Sequence, residues 1–176
     1  MSNLNHIFII CSTIVIAMSL MPTYHCRTLK PDDLKLIEKT CNNTPIPNLC
    51  LQILKADPRS ASADIPHLAL IFVDVIKVKA NEALIKINKL LKGSGDKQVL
   101  KSCAGAYHAI LVGDVPMATQ ALQLGNPKFA EDAVADSSLE AMDCEEDFKG
   151  KSPLTKENTY MRDVSDVARA VIRNLL

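Results

Sequence analysis

Residues 65–91 read IPHLALIFVDVIKVKANEALIKINKLL. Apolar side chains recur at Ile65, Leu68, Phe72, Val75, Ile76, Ala80, Ala83, Leu84, Ile87, Leu90 and Leu91. Spacings of three and four, held for about seven turns, are the period of a helix with one buried face. A strand would alternate every second residue and seldom runs half this far. The punctuation agrees. Asp64 can accept from the first free backbone N–H groups, and Pro66 falls in the first turn, where a missing N–H costs little. Gly93-Ser94-Gly95 ends the segment. Such a helix must lay its apolar stripe against other elements.

The flanking sequence supplies them. Asp96 to Leu124 carries Val99, Cys103, Ala106, Tyr107, Ile110, Leu111, Ala118, Ala121 and Leu122 on one face. Gly113 and Pro116 inside it predict a kink or short break. Gly125 is a helix stop, and Asn126-Pro127 reads as an N-cap and first helical position. A helix from Pro127 to Lys149 follows, with Phe129, Ala133, Ala141, Cys144 and Phe148, and Gly150 stops it. Ser152-Pro153 is a second cap-plus-proline start. It opens a last helix bearing Met161, Val164, Val167, Ala168, Val171, Ile172 and Leu175. Upstream, Asp32 to Cys41 and Asn48 to Ala56 are short helices, separated by a break at Pro45 and Pro47. Four long helices with short connections predict an all-α fold: an up-and-down four-helix bundle preceded by an N-terminal helical hairpin.

Composition fits this. The chain has 176 residues, 48% hydrophobic, enough for one domain with a real core. Aromatics are 4% and Trp is absent, so the core is aliphatic. Lys+Arg and Asp+Glu are both 20, and the net charge of zero argues against nucleic acid as a partner. Leu4 to Met21 has no charged side chain. Its apolar centre, Ile7 to Leu20, has the length of a secretory signal and falls short of a bilayer span. Residues 1–26 are therefore expected to be a cleaved signal peptide, with no stable membrane anchor, and residues 27–176 the exported domain.

Of the six cysteines, Cys11 and Cys26 lie in or at the end of the signal. Cys41, Cys50, Cys103 and Cys144 remain, an even number suited to an oxidising compartment. They allow three pairings. A Cys41–Cys50 bridge would close the hairpin. Cys103–Cys144 would then tie the second bundle helix to the third, a loop worth roughly 4 kcal/mol by chain entropy. No C-x-x-C spacing suggests a metal, and no metal or cofactor is expected. Asn42-Asn43-Thr44 is a glycosylation sequon, although it abuts Cys41 and Pro45 follows at once.

Catalytic sets are not evident. His6, His25, His67 and His108 belong to no recognisable motif, and no nucleophile elbow, zinc helix or phosphate loop occurs. Glu145-Glu146-Asp147 reads as a solvated acidic face. The chain is expected not to be an enzyme. One stretch stands out: Gly125-Asn126-Pro127-Lys128-Phe129-Ala130-Glu131-Asp132, at a helix–helix corner. Lys128 occupies the second helical position, where the helix dipole disfavours a cation. A purely structural role would turn Phe129 inward and leave Lys128 as incidental surface.

Several of these segments together resemble the plant invertase and pectin methylesterase inhibitors. The marks are the Cys41 to Cys50 spacing with Cys103 and Cys144 beyond, and DPRSASADIPHLALIFVDVIKVKA (Asp57 to Ala80). PKFAED (Pro127 to Asp132) and DVARAVIRNLL (Asp166 to Leu176) add to them. The last three look like the invertase-inhibitor branch, and the likeness runs from about Cys41 to Leu176. It implies a hairpin-plus-bundle fold with bridges Cys41–Cys50 and Cys103–Cys144. It also implies that Pro127, Lys128 and Phe129 form the element that enters the target's active-site cleft. The expected partner is an acid invertase (β-fructofuranosidase), cell-wall or vacuolar, and the expected location is the apoplast at the cell wall, with the vacuole as the alternative. The inhibitor is expected to be monomeric when free. Inhibition of pectin methylesterase is the alternative within the family. A secreted bundle that binds a small apolar ligand is the alternative of another class, against which the small Ala residues of the interior weigh.

Overall fold

A computed structural model describes residues 29–176. The expected signal peptide at 1–26, with Cys11 and Cys26, lies outside those residues. Two short helices come first, α1 (Pro31–Asn42) and α2 (Pro47–Ala56). Then α3 (Ile65–Leu90), α4 (Lys97–Ala109), α5 (Val115–Gln123), α6 (Pro127–Asp147) and α7 (Thr155–Arg173) follow. A π-helical stretch, Ile110–Asp114, joins α4 and α5 into one rod. The rod, α3, α6 and α7 form the up-and-down bundle, and α1 with α2 form the hairpin, whose α2 leans on α7 and α3. No strand occurs among the described residues.

The stripe that defines α3 is the axis of the core. Leu68, Phe72, Ile76, Ala80, Ala83 and Ile87 are buried, as are Met161, Val164, Val167, Ala168, Val171 and Ile172 of α7. Asp64 caps α3 as expected, accepting from the His67 N–H at 3.0 Å. Both bridges are present: Cys41–Cys50 closes the hairpin and Cys103–Cys144 joins α4 to α6.

One local expectation is met in an unforeseen form and three are corrected. The break expected at Gly113 and Pro116 takes the form of the π-helical stretch that separates α4 from α5. Pro116 has no N–H to return to the preceding turn, and its ring would crowd a carbonyl there. The chain widens instead, and the Val115 N–H reaches back to the Ile110 carbonyl. The last helix starts at Thr155, not at Pro153. Ser152 Oγ accepts from the Leu154 N–H at 3.0 Å and so caps the turn before the helix. The third bundle helix ends at Asp147, two residues early, because Lys149 and Gly150 take φ of 51° and 80°. Glu145, read as part of a solvated run, accepts from Thr155 Oγ1 at 2.6 Å and from Asn158 Nδ2 at 2.7 Å. Asn158 in turn accepts from the buried Tyr107 hydroxyl at 2.7 Å. That chain fastens α4, α6 and α7 beside the second bridge.

Candidate functional site

The corner between α5 and α6 is built by backbone. Gly125 has φ +71°, the left-handed region that a side chain would disfavour. Its N–H bonds the Leu122 carbonyl at 3.3 Å, and the Asn126 N–H bonds the Ala121 carbonyl at 2.8 Å. This pair is the Schellman closure of a helix end. The Asn126 side chain makes no capping hydrogen bond, contrary to the sequence reading. Its carbonyl serves instead, accepting from Phe129 N–H at 3.2 Å. Pro127 then opens α6 with φ already set. Two helix ends and a proline therefore hold the corner with few soft torsions.

The corner presents an aromatic ring and a cation side by side. Phe129 is 63% exposed, while Ala130 beside it is fully buried. Phe129 does not pack inward. Lys128 is also exposed, and its Nζ lies 3.0 Å from Glu131 Oε2 and 2.7 Å from Asp132 Oδ1. Those carboxylates, Asp132 foremost, hold its ammonium above the ordinary lysine range.

Glu131 itself is only 4% exposed. Its other oxygen accepts from Arg173 Nε at 2.7 Å and Arg169 Nε at 3.2 Å. Arg173, then Lys128, pull its pKa down to about 2 against the cost of burial. One carboxylate thus ties the start of α6 to the last turns of α7 and anchors the lysine. Spacing alone did not reveal this. Glu131 lies among the buried residues of α6, but the arginines that neutralise it lie 38 and 42 residues away. Pro127, Lys128 and Phe129 are consecutive in the sequence and stand together at the corner. Asn42, the sequon residue, is exposed at the end of α1, while Thr44 is buried and donates to the Cys41 carbonyl at 2.7 Å. Among the described residues no group of His, Cys, Asp and Glu is arranged to hold a metal ion.

The corner offers binding chemistry: a cation and an aromatic ring side by side on a stiff support. The family model for the plant invertase/pectin methylesterase inhibitors matches residues 35–173, nearly all that the structure describes. The chain belongs to that family. Among its relatives is the cell wall / vacuolar inhibitor of fructosidase 1 of Arabidopsis thaliana, 45% identical over 137 residues. That match covers 77% of this chain and 67% of the relative. A pectinesterase inhibitor of Actinidia deliciosa is 27% identical over 172 residues, covering 94% and 91%. The fold is shared with a crystal structure of a mutant pectin methylesterase inhibitor from Arabidopsis, with a TM-score of 0.68. That likeness covers 78% of this chain and 95% of the other at 22% identity. Within the family fold, the α5–α6 corner is where this inhibitor-family chain exposes its apolar ring and its paired lysine together.

Proposed function

We propose that this protein inhibits an acid invertase (β-fructofuranosidase) by seating the Pro127-Lys128-Phe129 corner in the enzyme's active site and so blocking sucrose hydrolysis. The observation that carries the reading is the outward Phe129 beside the outward Lys128 on a rigid corner. The relative named as an inhibitor of fructosidase supports the target class. A glycosidase of this kind works with paired carboxylates in a sugar-sized pocket. An ammonium fits against those carboxylates, and a flat ring fills the space of a sugar. The proline and the closed helix end limit the ordering lost on binding. Asp132 and Glu131 hold Lys128 in the free protein, and an acidic pocket competes with them for its hydrogen bonds.

In this reading residues 1–26 are a secretory signal, residues 27–176 are exported, and the protein acts as a monomer in the cell wall or the vacuole. It binds its target and does no chemistry. Inhibition of a pectin methylesterase is the second reading, favoured by the long match to the pectinesterase inhibitor. One side-by-side assay separates them. Purified protein is added to acid invertase and to pectin methylesterase at mildly acidic pH. Inhibition of invertase is expected. Inhibition of the second enzyme alone would overturn the proposal.

A further inference from the structure

At the end of the bundle away from the corner, α3 and α4 meet the α6–α7 connection around a groove of about 1060 Å³. α6 has 21 residues, so the groove lies about 30 Å from Phe129. Its apolar floor includes Leu90, Val99 and the half-buried ring of Phe148. Lys86, Lys89, Lys149 and Lys151 stand around it, against Asp96 and Asp147. Asp96 is committed to capping α4, accepting from the N–H groups of Gln98 and Val99. Lys92, Lys97, Lys101 and Lys156 crowd the same end in sequence and fold.

These lysines are mostly free. Lys86 pairs with Glu157 at 2.7 Å. The other seven have no carboxylate within 4.0 Å among the described residues. Elsewhere in the described chain only Lys30, Lys39 and Lys77 are cations without such a partner. A chain of zero net charge therefore concentrates its unneutralised cations on one end. A second observation is conformational. Lys149 has φ 51° and Gly150 follows at 80°. Glycine fits the left-handed region freely and lysine does not, so the lysine at this position carries strain that a glycine would relieve.

We propose that this groove binds an anionic polysaccharide of uronic-acid type, its lysines pairing with the carboxylates and Phe148 lying against a sugar face. Every cation at this end is a lysine and none is an arginine. Lysine is a compact point charge on a flexible stem, which follows charges spaced along a polymer without demanding one bidentate partner. A polymer with one carboxylate per sugar matches dispersed point charges over an apolar floor. Two disulfides belong to an oxidising, extracytoplasmic setting, where such polymers occur and nucleic acid does not. The corner and the groove lie at opposite ends, so both can be occupied at once.

The test uses the exported chain, residues 27–176, on beads bearing de-esterified polygalacturonate, fully methyl-esterified polygalacturonate or dextran sulfate. Retention on the first and not on the second is expected, with release as salt screens the pairs. The triple change Lys89→Glu, Lys149→Glu and Lys151→Glu should weaken binding at least about tenfold. The triple Lys30→Glu, Lys39→Glu and Lys77→Glu alters net charge equally and should bind as the parent does. Lys149→Gly should melt at the same temperature or higher, since strain is relieved, yet bind less well. No retention of the parent, or equal losses in the two triples, would overturn the proposal. So would parent-like binding by Lys149→Gly. Stronger retention on dextran sulfate than on polygalacturonate would mark a general cation patch and overturn it too.

Discussion

Phe129 and Lys128 separate binding from stability, because neither is part of the core. Phe129 is exposed, so truncation should change stability by no more than about 0.5 kcal/mol. Its loss from a filled sugar site should instead weaken inhibition roughly 30-fold or more, as for a buried aromatic anchor. Lys128→Glu should be worse, since it sets a carboxylate against carboxylates. From sequence alone, removing Lys128 promised a slightly steadier helix, by taking a cation from the first turn. The structure offsets this, because the ammonium pairs with Glu131 and Asp132 one turn on. Lys128→Ala should therefore leave the melting temperature close to that of the parent. The measurement is inhibition of acid invertase beside thermal melting for each variant. A sharp fall in melting temperature for Phe129→Ala, with inhibition kept by the folded fraction, would return Phe129 to a packing role.

Among the elements, the π-helical turn carries a second consequence. It sets Asp114 half-buried against α6, where Ser137 Oγ donates to it at 2.9 Å. Burial pushes the Asp114 pKa up to about 6, the Ser137 bond opposes this, and Asp136 and Glu140 push it further. The folded state thus favours the protonated form. That contribution is whole below the unfolded value of 3.8 and is lost as pH rises through about 6. Asp114→Asn should narrow the gap in melting temperature between about pH 4 and pH 7, because the amide does not titrate. An unchanged gap would remove Asp114 from the pH response. Glu131 has the opposite sign: its stabilisation holds above 4.5 and fades only as pH falls through about 2. A mildly acidic medium therefore costs the corner little. The helices were legible because their apolar period is long and their stops are glycine and proline. The π turn was not, since Gly113 and Pro116 mark a disturbance without saying that the chain widens through it. The Glu131 clamp was not legible either, because Arg169 and Arg173 reach it only after α6 and α7 pack.

For the whole molecule, the bundle works as a rigid mount. The Cys103–Cys144 bridge and the Tyr107–Asn158–Glu145 chain hold the bundle helices together toward their far end, while Cys41–Cys50 closes the hairpin. Glu131 with its arginines holds them near the corner. The surface charges are sorted as well, with free lysines gathered away from the corner. A rigid plug makes a definite kinetic claim: sucrose and inhibitor compete for one site. The most direct measurement is the inhibition of acid invertase at fixed inhibitor across rising sucrose, with the two proteins brought to equilibrium beforehand. Inhibition should be progressively relieved as sucrose rises. Inhibition that stays constant at saturating sucrose, with slow binding excluded, would place the contact outside the active site and contradict the account.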